Sequence, residues 1–202
     1  MVLDQFYTKD EIASKCYRKF IRTMKRNNIN MDNYTYIEPS AGKGAFYKLL
    51  PLKKRIGIDL DPKYEELIKM DFLKYDPDKK NKYVVIGNPP FGKISSMAIK
   101  FFNKSASYAD IIAFIVPRTF KRISVQNKLS LNFKLIYNND LPLKPCCFEP
   151  EMMAKCCFQI WIRSGKREKI SLPSSHKDFE FLKLGPKDEK TNLHRLRVLI
   201  LQ

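Results

Sequence analysis

The sequence lacks any apolar run long enough to cross a bilayer, and its N-terminus lacks the continuous apolar stretch of a secretory signal. It also lacks the pattern of a disulfide framework, because five cysteines are an odd number in a chain of 202 residues. These absences predict a globular protein of a reducing, intracellular compartment, either the cytoplasm or the nucleus. The length suits one domain with a well-buried core.

Acidic residues are scarce relative to basic ones. The chain has 21 aspartates and glutamates against 38 lysines and arginines, so its formal net charge is +17. Such a surplus favours a polyanionic partner, most simply a nucleic acid. The alternative is that a lysine-rich composition only keeps the protein in solution, because net charge bears on association and not on fold.

Hydrophobic periodicity predicts helices that alternate with strands. A four-residue spacing of apolar side chains indicates an amphipathic helix over 9–27, with Thr8 as its N-cap and Glu11 completing a capping box. Further helices are expected after Pro62, over 95–107 and around 118–128. Strands are predicted at the start of YTYIEPSAGKGAF and in RIGIDL, LIKMDFL, KYVVIG, DIIAFIVP, NFKLIYN and KCCFQIWIR.

This alternation favours a parallel α/β sheet, and the last two strands, paired as a hairpin, give it an antiparallel edge. The pattern ends near residue 164, so 164–202 is predicted to be a basic, weakly structured tail. Its last ten residues, LHRLRVLILQ, suit a strand or a short helix. No internal repeat is visible.

Polar side chains stand where four of the predicted strands end. These side chains are Glu38, Asp59, Asp71 and Asn88. Ligands of open α/β sheets bind beyond the carboxyl ends of the strands. Acids at three of these ends suit a ligand with hydroxyl groups, amino groups and a cationic centre better than a pyrophosphate.

A glycine-containing loop follows the first of these strands. Gly42 and Gly44 let a ligand approach the backbone closely. Tyr47 stands where a dinucleotide fingerprint has its third glycine, and the phosphate-cradling G-x-x-x-x-G-K-[ST] loop is absent. The loop therefore points away from dinucleotides and nucleoside triphosphates.

In this order the motifs resemble those of class I S-adenosylmethionine-dependent methyltransferases, and most closely the N6-adenine methyltransferases. The similar segments are DQFYT at 4–8, EPSAGKGAF at 38–46, GIDLD at 57–61, KMDFL at 69–73 and NPPF at 88–91. NPPF matches the family's [DNS]-P-P-[YFW] signature. The resemblance spans about 4–163. It implies a Rossmann-like catalytic domain over 1–163, with a mostly parallel seven-stranded sheet, a C-terminal antiparallel hairpin and helices on both faces.

The resemblance implies S-adenosylmethionine as the cofactor. By it, Glu38 lies near the amino acid or sulfonium end, Asp59 accepts hydrogen bonds from the ribose hydroxyls, and Asp71 accepts one from the adenine amino group. Phe72 lies beside the adenine ring or simply in the core, and Thr8 is equally suited to capping the helix. The implied cofactor-binding residues are Tyr7, Thr8, Glu38, Pro39, Ser40, Gly42, Gly44, Asp59, Leu60, Asp71, Phe72 and Asn88.

The catalytic candidates are Asn88, Pro89, Pro90 and Phe91. An exocyclic adenine amine is a poor nucleophile, because its lone pair is delocalised into the ring. The Asn88 side-chain oxygen and the Pro89 carbonyl, held by the rigid prolines, would accept its hydrogens, while Phe91 would stack on the base. No titrating base is required, which agrees with a chain whose two histidines both lie in the tail.

Other substrates and roles stay open at this stage. The wording of the glycine loop favours DNA slightly over RNA. A protein N5-glutamine methyltransferase would use the same amide geometry, and a non-catalytic nucleic-acid-binding partner subunit is a third hypothesis. No segment is large enough for a target-recognition domain, so a partner subunit could supply that part.

Two clusters have competing interpretations. Lys93, Arg118, Lys121 and Arg122 could line a nucleic-acid path or form an ordinary solvated surface. The cysteine pairs at 146–147 and 156–157 lack C-x-x-C spacing, and adjacent cysteines on a strand point to opposite faces. We therefore expect small buried side chains and no metal site.

Overall fold

The computed structural model describes residues 6–171 and, beyond them, the backbone at 175–176, 179–183 and 196–200. The chain divides into two units after Glu168. Among the described residues, no helix is both long and apolar enough to cross a membrane.

The described elements comprise three α-helices and twelve strands. The helices are α1 (Asp10–Arg26), α2 (Ser96–Ala106) and α3 (Ile123–Gln126). The strands are β1 (Tyr7–Thr8), β2 (Tyr34–Pro39), β3 (Arg55–Asp59), β4 (Ile68–Lys69), β5 (Lys82–Gly87), β6 (Ile111–Pro117), β7 (Phe133–Asp140), β8 (Phe148–Glu149), β9 (Cys156–Arg163), β10 (Ser175–His176), β11 (Phe179–Lys183) and β12 (Leu196–Ile200).

Seven strands form the main sheet in the order β4-β3-β2-β5-β6-β9-β7. The five strands from β4 to β6 are parallel, whereas β9 runs antiparallel to both β6 and β7. This confirms the predicted α/β class, the mostly parallel seven-stranded sheet and the antiparallel hairpin. The strand order reverses between β2 and β5, and that is where such sheets bind their ligands.

Both faces of the sheet are buried, as the nearly continuous apolar strands require. On one face, α1 packs with Ile12, Phe20 and Met24 against Val84 and its neighbours. On the other face, α2 packs with its phenylalanines at 101 and 102 against a second set of strand side chains. Helices on both faces and the amphipathic first helix are thereby confirmed.

The predicted N-cap is wrong. Lys9 occupies the N-cap position of α1, and no side chain caps that end. Thr8 belongs to β1, which pairs antiparallel with β8. Because Thr8 pairs with Phe148 in this short sheet, its hydroxyl does not cap α1.

Three predicted helical or strand segments are shorter than expected. Residues 60–67 form bends and turns instead of a helix after Pro62, because the Lys63 amide donates to the Gly42 carbonyl at 3.0 Å. LIKMDFL yields only the two-residue β4 and a 3₁₀ turn at Phe72–Lys74. The helix expected around 118–128 is a 3₁₀ turn, Arg118–Lys121, followed by α3.

The second unit contains a small antiparallel sheet of β10, β11 and β12. These strands lie in the segment 164–202, for which the sequence predicts weak structure. The final apolar segment is a strand at Leu196–Ile200, one of the two predicted alternatives. The remaining positions of that segment beyond residue 171 lie outside the described residues.

Candidate active site

A cavity of about 600 Å³ opens beyond the carboxyl ends of β2, β3 and β5. Its size is ordinary for a small-molecule site. Most of the predicted site residues line it. Those lining residues are Tyr7, Ser40, Gly42, Asp59, Leu60, Asp71, Phe72, Asn88, Pro89, Pro90, Phe91 and Lys93.

A second, smaller cavity of about 30 Å³ adjoins the first. It is lined by Thr8 and Glu38, and it shares Tyr7, Ser40 and Asn88 with the larger cavity. The two cavities are therefore neighbours in one candidate site, with a polar recess next to the main space.

The glycine loop is shaped by positive φ angles at Ser40 (51°), Gly42 (52°) and Gly44 (74°). The Gly42 amide donates to Asp59 Oδ2 at 2.7 Å, so the end of β3 holds the loop. A Cβ at position 42 would lie 2.6 Å from Cδ1 of Tyr7, too close for any side chain. Glycine is required there for both its conformation and its lack of a side chain.

Glu38 is buried at the end of β2. Its carboxyl group accepts hydrogen bonds from the backbone amides of Tyr47 (2.5 Å) and Phe46 (3.3 Å). Burial raises the pKa of Glu38 to about 8, although both amide bonds oppose the rise. A cationic ligand beside this carboxyl would favour its ionised form.

Asn88 follows β5, and only one of the two polar atoms of its side-chain amide has a hydrogen-bond partner among the described residues. Nδ2 donates to the Phe6 carbonyl at 3.4 Å, which fixes which end of the amide is the oxygen. Oδ1 is buried and has no hydrogen-bond partner in the part of the chain that the structure describes. Thr8 Oγ1 is in the same condition. Buried polar atoms in native proteins nearly always have partners, and because Asn88 and Thr8 both line the cavities, a ligand there could satisfy these two atoms.

The residues after Asn88 are anchored on both sides. The Phe91 carbonyl accepts hydrogen bonds from the amides of Met97 (3.2 Å) and Ala98 (3.3 Å), in the first turn of α2. The Phe91 ring lies edge-to-face with Phe148, with 6.3 Å between ring centroids. Phe148 belongs to β8, so the β1–β8 pair packs directly on the motif.

The third acidic strand end combines two roles. Asp71 Oδ1 accepts from the Leu73 amide at 2.9 Å and caps the 3₁₀ turn that follows. Phe72 is fully buried and stacks on Phe101 with centroids 5.0 Å apart, yet both rings line the large cavity. Core packing and contact with a ligand are thus compatible for Phe72.

The remaining predicted residues lie elsewhere. Pro39 and Gly44 support the loop without lining either cavity. Arg118 and Lys121 both form ion pairs with Asp140, which reduces the charge they offer to a polyanion. Arg122 is exposed and lines neither cavity.

Lys43 and Met152 are among the lining residues that sequence reasoning missed. Lys43 forms an ion pair with Glu149 at 3.2 Å, and its ammonium lies 5.1 Å from the ring centroid of Tyr7. Its position inside the glycine loop could have marked it. Met152 lines the large cavity from the segment between β8 and β9, where no local pattern indicates a site.

All five cysteines are free and buried, as the sequence predicts. Burial raises the pKa of Cys16 and of Cys156 to about 12, so these thiols stay neutral and unreactive at ordinary pH. Within the described residues, no cluster of three or more histidines, cysteines or acids is arranged to hold a metal ion.

No protein-family model and no curated protein matches the chain. Among solved structures, a candidate RNA methyltransferase from Pyrococcus horikoshii is similar at 16% identity and a TM-score of 0.56, over 80% of this chain and 88% of that one. The 23S rRNA methyltransferase ErmE is similar at 14% identity and 0.52, over 79% and 70%. The magnesium protoporphyrin IX methyltransferase of Synechocystis, solved with bound S-adenosylmethionine, is similar at 11% identity and 0.54, over 75% and 79%.

The chain therefore has the Rossmann-like methyltransferase fold that its motifs predicted. The named substrates of these similar proteins range from RNA to a porphyrin, so the fold does not select a substrate. That selection depends on the residues of the site.

Proposed function

We infer that the protein is an S-adenosylmethionine-dependent methyltransferase that acts on the N6 amino group of adenine in a nucleic acid. The observation that carries this proposal is the side-chain oxygen of Asn88, which is buried at the cavity without a hydrogen-bond partner among the described residues. An N–H group of the acceptor substrate would satisfy it.

The residues at the site fit the cofactor. Thr8 offers an unpartnered hydroxyl and Glu38 a buried carboxyl in the small recess, which suits the amino acid end and the adjoining cationic centre. Asp59 accepts two backbone amides, but a carboxylate has about four acceptor sites, so two remain for ribose hydroxyls. Asp71 Oδ2 would accept a hydrogen bond from the adenine amino group of the cofactor, and the ring of Phe72 would pack beside the adenine ring.

S-adenosylmethionine supplies an electrophilic methyl group on its sulfonium. The chain's own task is to orient the acceptor amine and redirect its lone pair. Asn88 Oδ1 and the Pro89 carbonyl would each accept one N–H of the amine, and the prolines fix the direction of that carbonyl. Phe91 offers part of its ring to the base, worth about 1–3 kcal/mol of stacking. Orientation supplies much of the remaining acceleration.

The charge of the protein supports a nucleic-acid substrate. On α1, five basic residues are exposed, and no ion pair joins any of them to an acid within the described residues; they are Lys15, Arg18, Arg22, Lys25 and Arg26. Helix α1 starts directly after β1, whose Tyr7 and Thr8 line the site. The first turn of α1 carries Asp10 and Glu11 and the basic residues begin more than a turn further along, so this surface offers positive charge to a polyanion without placing phosphates at the site itself.

The test is incubation of the protein with methyl-labelled S-adenosylmethionine and with single-stranded DNA, duplex DNA, RNA or a protein extract, each in a separate reaction. Nucleoside mass spectrometry should find N6-methyladenine in at least one nucleic acid. Label that enters only the protein extract would instead support methylation of a glutamine amide, which presents the same planar nitrogen. Absence of cofactor binding in calorimetry would contradict both enzymatic functions.

A further inference from the structure

The loop that follows the NPPF motif has an unusual backbone. Gly92, Ile94 and Ser95 have φ angles of 66°, 52° and 61°. Such angles cost glycine nothing, but they are rare for a β-branched side chain. Of the four described non-glycine residues with positive φ, Ile94 is the only β-branched one.

Contacts on both sides of Ile94 hold this conformation in place. Ser95 is buried, and its hydroxyl lies 2.6 Å from the hydroxyl of Thr119. On the other side, a Cβ at Gly92 would lie 2.8 Å from Cβ of Met97, so only glycine fits at that position. The surroundings therefore impose the strain, and imposed strain of this kind clusters at functional sites.

The strained residue also points its side chain into solvent. Ile94 is 80% exposed, the highest value among the exposed large hydrophobic side chains of the described residues. Leu52 is similarly exposed at 76%, but it has no positive φ and lies before β3, at the opposite end of the sheet from the cavity. A single exposed hydrophobic residue like Leu52 is ordinary. At Ile94, exposure and strain coincide.

Ile94 stands at the rim of the cavity. Its neighbours Gly92 and Lys93 line the cavity, and Phe91 lies three residues before it. A nucleic acid that delivers one adenine to Asn88 has to place the neighbouring bases near this rim. An apolar side chain located there would face the gap that the departing base leaves in the stack.

We propose that Ile94 is a wedge that enters the base stack of a helical nucleic acid when the target adenine leaves it. Removal of a base from the stack costs free energy, and apolar side chains inserted between bases replace part of the lost contact. The inference rests on the proposed function and extends it. It assigns a paired, stacked adenine, in a duplex or a stem, as the substrate.

The probes are pools of oligonucleotides, made as DNA and as RNA, that each carry one central adenine between randomised flanking sequences. In each, the adenine is paired, faces an abasic site, or lies in a single strand. Ile94→Ala should lower kcat/KM by about tenfold on the paired probe and much less on the other two, since those adenines leave the stack easily. The matched control Leu52→Ala should leave all three values unchanged.

A second variant separates this role from a structural one. Asn tolerates the left-handed conformation, so Ile94→Asn should keep or raise the melting temperature while it loses activity on the paired probe. Equal losses of kcat/KM on all three probes, or no loss on the paired probe, would contradict the wedge and leave the proposed function standing. If the wild-type protein methylated none of the probes, the proposed function would fail and the wedge with it.

Discussion

The ring of Tyr7 packs so closely against Gly42 that a Cβ at position 42 would be 2.6 Å from Cδ1 of the ring. This contact joins β1 to the glycine loop, although the two are far apart in sequence. The glycine loop is also held by the 2.7 Å hydrogen bond that the Gly42 amide donates to Asp59. Tyr7, Gly42 and Asp59 therefore pack together as one unit at the edge of the large cavity.

Gly42→Ala should destabilise the protein and weaken cofactor binding. Alanine at a φ of 52° costs about 1–2 kcal/mol, and the clash with Tyr7 adds to that cost. Thermal unfolding and calorimetric titration with S-adenosylmethionine would measure both effects. The double variant Gly42→Ala with Tyr7→Ala should recover the part due to the clash. An unchanged melting temperature for Gly42→Ala alone would contradict the packing described.

Glu38→Gln should change how stability depends on pH. Because burial raises the pKa of Glu38 from 4.5 to about 8, its stabilising contribution is complete below pH 4.5 and is lost as the pH rises through about 8. Glutamine stays neutral, so the variant should lose less stability between about pH 5 and pH 9. Melting temperatures across this range provide the measurement, with the exposed Glu151→Gln as the control. Parallel pH curves for Glu38→Gln and wild type would refute the assignment.

Lys93→Ala should weaken nucleic-acid binding through a lost phosphate contact. Lys93 lines the cavity, and no ion pair holds it within the described residues. The slope of log K against log salt concentration should fall by about 0.9 for duplex DNA. Lys121→Ala should have a smaller effect, because Lys121 is already paired with Asp140. Fluorescence anisotropy at several salt concentrations tests this, and Lys53→Ala, near the opposite end of the sheet, is the matched control. Equal slopes for Lys93→Ala and Lys53→Ala would remove Lys93 from the interface.

The parts of the fold that follow from local pattern were predictable. Strand β6 is a continuous apolar run, α1 repeats its apolar residues every four positions, and polar residues stand at the ends of β2 and β3 and directly after β5. Because parallel strands bring their carboxyl ends to one edge, the strand pattern alone predicts that Glu38, Asp59 and Asn88 lie close together. These positions indeed surround the two cavities.

The parts that depend on distant pairing were not predictable. Thr8 matches a helix cap in sequence, but its pairing with Phe148 overrides that local preference. The turn after Asp59 replaces a helix because the Lys63 amide bonds to the glycine loop. Met152 reaches the cavity from a segment with no period of its own, so only the folded chain reveals it.

Asn88→Asp tests whether an acceptor oxygen at this position supports activity without the amide N–H. The carboxylate retains an acceptor but loses the N–H that donates to the Phe6 carbonyl at 3.4 Å. We expect partial activity, with kcat between those of the wild type and Asn88→Ala. Single-turnover kinetics would measure it, and an Asp variant less active than the Ala variant would contradict the role of an acceptor oxygen.

The most direct measurement of the central claim is the methyl-transfer rate of Asn88→Ala beside its affinity for S-adenosylmethionine. Loss of the unpartnered oxygen should lower kcat by about 10²-fold or more, by analogy with the loss of one positioned hydrogen-bonding group in other enzymes. Cofactor affinity should fall far less than kcat. A fully active Asn88→Ala protein would contradict the account.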